Sequence, residues 1–284
     1  MTRSFAGILF IALSVLLVQG QEPKPGAGFR VVSPVVSQFE DGAPLAGGQK
    51  LIAGETLFFR FGVANFKTSA TGKVQITGHA QAFDPRGTAI AAQDEVAIGT
   101  TLGQEDKDWK PVLHSQFQVP AIAPPGIYHI KFEAIDEQTH QTASGETTFA
   151  VEGRDVRPNP TLTIRELGFY RGPDDAAPLR VAAYRPSDMV WVRFDVTGYK
   201  YGEQNAIDVA YDVAVANSEG KELFAQQDAA VEKSQAFYPQ PWVPGIFSLT
   251  LQSDMTKGAY SVTITARDGF GNQTVTQKAQ FKVE

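Results

Sequence analysis

Over most of the chain, apolar and polar residues alternate one by one. In GIYHIKFEAID (126–136), Tyr128, Ile130, Phe132 and Ala134 share one phase, with His129, Lys131, Glu133 and Ile135 on the other. In GAYSVTITARD (258–268), Tyr260, Val262, Ile264 and Ala266 alternate with Ser261, Thr263, Thr265 and Arg267. A period of two puts successive side chains on opposite faces of a strand, so both segments are predicted as half-buried β-strands. The same phase places Leu57, Phe59, Phe61 and Val63 inward in one run, and Val190, Val192, Phe194 and Val196 in another. Each half of the chain holds about seven such runs, separated by Gly, Pro, Asn and Asp, a pattern that predicts an antiparallel sandwich. After the first twenty residues no convincing helical stripe occurs.

The two quoted segments are 132 residues apart and belong to a longer duplication. ETLFFRFGVANF (55–66) aligns with DMVWVRFDVTGY (188–199), and KVQITGHAQAFDPRG (73–87) with AIDVAYDVAVANSEG (206–220), both at an offset of 133. TTFAV (147–151) aligns with AQFKV (279–283) at 132. One single-residue shift across a whole domain is what duplication followed by drift leaves. Between the copies lies EGRDVRPNPT (152–161), whose prolines favour an extended, stiff connector. The reading is a first domain over 21–151, a linker over 152–161 and a second domain over 162–284.

Residues 1–20 read as a secretory signal. Arg3 precedes an apolar run of 13 (Ala6–Val18), and Val18-Gln19-Gly20 offers small residues for cleavage near Gly20. That run is too short to span a bilayer, and no later stretch is longer, so the mature chain is expected to carry no transmembrane segment and to be secreted or periplasmic. No cysteine occurs, so neither disulfides nor a lipid-anchoring cysteine enter the picture. The net charge of −6 argues against a nucleic-acid partner.

G-x-Y-x-[apolar]-x-[apolar]-x-A-x-D, followed in the second copy by GFGN (269–272), resembles the late-strand signature of bacterial immunoglobulin-like domains. The resemblance covers both halves from about residue 29 onward. It implies two tandem Ig-like β-sandwiches in which Tyr128 and Tyr260 close a loop corner with their hydroxyls. It further implies that Asp136 and Asp268 end the same strand and that Phe149 and Phe281 lie on the closing one. The chain lacks the cysteine pair of antibody domains.

No HExxH, GxSxG or phosphate-binding glycine loop is present, and SEGK (218–221) fits a turn better than a catalytic S-x-x-K. The chain therefore reads as a non-enzymatic module with no cofactor. His79, His129 and Glu133 fall on one outward face, either as a metal triad or as solvated groups at separate heights. Phe58 with Arg60, and Trp191 with Arg193, share outward phases. Each arginine could stack on its ring, leaving a shielded pair or an exposed interface. Tyr201 and Phe270, with Tyr238 and Trp242 of YPQPW (238–242), fall on loops at one end of the second domain. There they would either stack on a sugar or peptide or plug the core. Asp268 and Asn272 form a thin calcium set that turn chemistry explains better. The expected role is structural or interactive, with an envelope or extracellular protein or glycan as partner. Glycan or peptide recognition by the aromatic tip is the alternative.

Overall fold

The computed structural model describes residues 28–284. The expected signal over residues 1–20 therefore lies outside the described residues. Among these there is no α-helix, only strands and one short 3-10 turn at Glu203–Asn205. The first half holds β1 (Arg30–Ser37), β2 (Lys50–Ile52), β3 (Thr56–Ala64), β4 (Lys73–Phe83), β5 (Asp94–Thr101), β6 (Val112–Gln118), β7 (Gly126–Asp136) and β8 (Gln141–Glu152). The second holds β9 (Thr163–Tyr170), β10 (Ala183–Tyr184), β11 (Met189–Thr197), β12 (Ile207–Asn217), β13 (Glu222–Ser234), β14 (Trp242–Thr250), β15 (Gly258–Asp268) and β16 (Gln273–Val283).

Each half is a sandwich of a three-stranded and a five-stranded sheet. The orders are β1-β3-β6 against β2-β8-β7-β4-β5, and β14-β11-β9 against β10-β16-β15-β12-β13. Neighbours are antiparallel except β2 with β8 and β10 with β16, which run parallel. The opening strand of each half is thus broken in two, its first piece in one sheet and its second in the other.

The alternating phase is what fills the cores. Leu57, Phe59, Phe61 and Val63 on β3 and Tyr128, Ile130, Phe132 and Ala134 on β7 are all buried, as are their partners on β11 and β15. Burying one such aromatic or branched side chain contributes about 1.5–3 kcal/mol, so these two strands per half carry much of the folding energy. Phe132 packs between Phe59 and Phe61, at ring separations of 5.0 and 4.8 Å. In the second half Phe194 meets Tyr211 edge-on at 5.0 Å.

The two cores solve the same space differently. Phe61 pairs across the sheet with Leu113 and faces Gly78, where an added Cβ would stand 2.3 Å from a Leu113 methyl. Phe194 pairs with Gly245, and the position matching Gly78 is Tyr211. One copy holds Gly and Leu where the other holds Tyr and Gly. This is a volume-conserving exchange of the kind close-packed cores tolerate.

The expected corner bonds are present in both halves. Tyr128 donates to the carbonyl of Pro124 and Tyr260 to that of Thr256, both at 2.7 Å. Burial pushes the Tyr128 hydroxyl well above the ordinary tyrosine range, so it remains a donor.

Candidate functional site

A polar cluster lies where the two halves meet. It begins with an ordinary turn. In Asp84-Pro-Arg-Gly-Thr88 the Asp84 Oδ1 accepts the backbone N–H groups of Arg86 and Thr88, at 2.8 and 2.7 Å. The matching turn of the second half starts at Asn217, whose Oδ1 accepts from Glu219 and Lys221, at 3.1 and 2.9 Å. The copies differ in the remaining atom. Asp84 has a second oxygen, and it accepts the hydroxyl of Tyr238 at 2.8 Å across 154 residues of sequence. Tyr238 is buried within the first half's core although the second half supplies it. Burial first, then the Asp84 carboxylate, raises its hydroxyl far above the ordinary range, so the phenol stays protonated and donates. This corrects the expectation that Tyr238 stands at an exposed tip. The Pro-bounded segment between β13 and β14 turns it toward the other half.

A second clamp comes from the connector. The Arg154 guanidinium bonds to both oxygens of Asp195 and to Glu166, and lies 5.0 Å from the centre of the Trp242 ring. Val156 is buried, Arg86 meets Asp155 at 3.5 Å, and Arg165 donates to the Arg157 carbonyl at 3.0 Å. Asp195 and Thr197 occupy the outward phase of β11 but are buried, because the connector and Pro241 cover them. Burial pushes the Asp195 carboxyl above the ordinary Asp range against the pull of Arg154. Trp242 is therefore a ring packed under Arg154, not a free sugar platform.

The other aromatics of the expected tip are at the surface but tied. Tyr201 and Tyr199 both donate to the Gln240 carbonyl at 2.5 Å, with rings 5.7 Å apart. Phe270 is half exposed and its ring covers Gly202 so closely that a Cβ there would stand 2.8 Å away. Asp268 accepts from the backbone of Lys200, Phe270 and Gly271 and from the Gln273 amide. Its lone pairs serve the turn, which excludes the calcium reading. Asn272 sits at φ +48°, as a hairpin turn requires.

The arginine–ring pairs arrange themselves otherwise than the strand spacing suggests. Arg193 lies 4.2 Å from the Tyr170 ring rather than on Trp191, and donates to the Asp175 carbonyl at 2.6 Å. Arg60 donates to the Gly42 carbonyl at 3.0 Å. Gly42 and Asp175 are themselves 133 apart, so each arginine does the same work: it pins the loop between the broken halves of the opening strand over the outer sheet face. Phe58 and Trp191 are half-buried.

The histidine set is split by register. His79 faces Glu133 directly, but His129 faces Phe83, four residues further along β4 and so roughly 13 Å away. His129 bonds Glu146 at 2.5 Å, and His79 stands 3.9 Å from Glu95. The triad does not assemble, and among the described residues no group of three potential ligands converges on a metal site. Around these residues β4, β7 and β8 form a shallow groove of about 560 Å³, lined by His79, Gln81, Phe83, Lys131, Glu133 and Ser144 among others. Sequence reasoning missed the groove and the Tyr238–Asp84 bond. The signal for the first lay in the long polar side chains on one face, whereas a bond across 154 residues leaves none.

No family model matches the chain and no curated protein matches its sequence. Solved structures with some likeness include the C-terminal domain of the antigen I/II-family protein AspA from Streptococcus pyogenes. That domain is 9% identical with a TM-score of 0.30, over 89% of this chain and 99% of that one. The C-terminal domain of the AgI/II polypeptide BspA from Streptococcus agalactiae is 10% identical, TM-score 0.30, over 89% and 100%. The alkylpurine DNA glycosylase AlkC of Pseudomonas fluorescens, bound to DNA containing an abasic site analog, is 15% identical, TM-score 0.27. That likeness covers 43% of this chain, which spans only 30% of the glycosylase. At these values none of the three bears on activity or ligand.

Proposed function

We propose that the chain is a non-enzymatic, extracytoplasmic interaction module: two immunoglobulin-like sandwiches, 21–151 and 162–284, held end to end in a fixed relation through 152–161. The observation that carries this reading is the burial of Tyr238 of one half in the core of the other, on the acid oxygen of Asp84. The Arg154 clamp supports it, since a loose linker would need neither an ion pair nor a buried Val156. A rigid pair presents its outer faces at a set spacing and angle, which suits a spacer that displays surfaces to an envelope or extracellular protein or glycan. The strand orders, the corner tyrosines and the signal-like residues 1–20 support the family resemblance and export.

Small-angle scattering tests the rigidity. The wild-type chain should give one narrow interatomic distance distribution, and Tyr238→Ala should broaden it without loss of β circular dichroism. A wild-type profile requiring a flexible two-body ensemble would remove the reading.

A further inference from the structure

The two halves keep the same inner faces and diverge on the outer face of the five-stranded sheet. In the second half that face is filled. Arg267 bonds both Asp212 and Asp228, Thr265 meets Thr276 at 3.1 Å, and the positions matching Gln81 and Phe83 are Ala214 and Ala216. In the first half the positions matching Asp212, Ala214, Ala216, Thr263 and Thr265 carry His79, Gln81, Phe83, Lys131 and Glu133, and they line the groove.

Some of these groups are already engaged. His129 holds Glu146, and the Gln81 amide donates to the Ala91 carbonyl at 3.3 Å. Among the described residues the Lys131 ammonium has no ion pair, only the Phe83 ring at 5.3 Å, and the Glu133 carboxylate has no partner at all. Both lie on β7, two residues apart on one face, so a donor-only and an acceptor-only group stand roughly 7 Å from each other. Their formal charges are opposite, and the third charged group of the lining, Glu146, is already held by His129. The strand that carries Lys131 and Glu133, β7, is paired on both sides along the groove, whereas β8 is paired on its outer side only at Ala150–Glu152.

A ligand that suits this arrangement donates and accepts at neighbouring positions, carries no net charge and offers an apolar flank to a ring edge. We infer that the groove over β4, β7 and β8 is a binding site for a neutral oligosaccharide. Lys131 donates to a sugar oxygen, Glu133 and Ser144 engage hydroxyls across the neighbouring strand, and Phe83 bounds one end. The spacing between strands, roughly 4.8 Å, is close to the length of one sugar ring, so successive rings can cross successive strands. The groove volume lies within the span of ordinary ligand sites. The inference is independent of the rigid-pair reading, because the groove lies wholly within the first half.

The test titrates the full chain calorimetrically with soluble β-1,4-glucan, mannan, xylan and chitin fragments, up to roughly 1 mM, the weak end of specific recognition. At least one should bind, and Lys131→Ala/Glu133→Ala should weaken it by about 10-fold or more at an unchanged melting temperature, as loss of hydrogen bonds to charged groups implies. Thr263→Ala/Thr265→Ala, at the matching positions of the second half, should leave binding intact. Failure of every fragment to bind overturns the inference. So does binding that survives the Lys131/Glu133 change, or binding lost instead in Tyr201→Ala/Phe270→Ala. A positively charged peptide bound in place of the sugars would overturn it as well.

Discussion

At the scale of single residues, duplication lets side-chain roles be compared within one molecule. Arg60 and Arg193 make the same bond to loops 133 residues apart, so their role is to strap the loop, although their spacing from an aromatic suggested stacking on it. Tyr128 and Tyr260 were placed by the resemblance to immunoglobulin-like domains, and each donates to a carbonyl four residues back along the chain. Tyr260→Phe keeps the ring packed on Phe281 and deletes only the hydroxyl. It should cost about 1 kcal/mol, measured as a lower urea midpoint; an unchanged midpoint would show that the corner bond contributes nothing.

At the scale of elements, the alternation of apolar residues made the strands and their inward faces legible before any coordinates. β3, β7, β11 and β15 bury the side chains that the period of two assigns to the core. Pairing register was not legible, because a strand of given phase can slide by two residues without exposing its apolar set. That is why His79, His129 and Glu133 could be placed on one face but not at one height. Packing partners were hidden for a similar reason: Gly78 with Leu113, and Tyr211 with Gly245, look unrelated until the sheets are stacked. The close approach of Phe194 to Gly245 makes a specific expectation. Gly245→Ala places a methyl 2.3 Å from the ring of Phe194 and should destabilise by about 1–3 kcal/mol, seen as a lower urea midpoint at unchanged slope.

At the scale of the whole molecule, the junction between halves was the least legible feature. The sequence showed a proline-bearing connector over 152–161; Glu152 ends β8, and residues 153–162 carry no strand before β9. What fixes the junction is contributed from elsewhere, by Tyr238 and by Asp195, each far from the connector in sequence. Asp195 also gives the junction a pH dependence. Its carboxyl lies above the ordinary value of 3.8 because burial disfavours the charge, so the native state holds the proton more tightly than the unfolded chain. Stability from this group is therefore greatest at low pH and falls as pH rises through the raised value. Removing Arg154 raises it further. Arg154→Ala should cost about 1–2 kcal/mol at neutral pH, discounted because the arginine is half exposed, and the deficit should shrink toward pH 4. Melting temperatures of wild type and variant measured across that range check it; parallel curves would mean Asp195 does not sense its partner.

The two parallel pairs, β2 with β8 and β10 with β16, have a mechanical consequence. Within each half the chain passes first through β1 or β9, then through the first member of the pair, and leaves through the second. Once β1 or β9 has come away, tension between the chain's ends drags the two members in opposite directions along their length. Their rungs are loaded in shear and must rupture together, where an antiparallel hairpin would unzip one rung at a time. Resistance of this kind is set by how fast the fold yields under load rather than by its equilibrium stability.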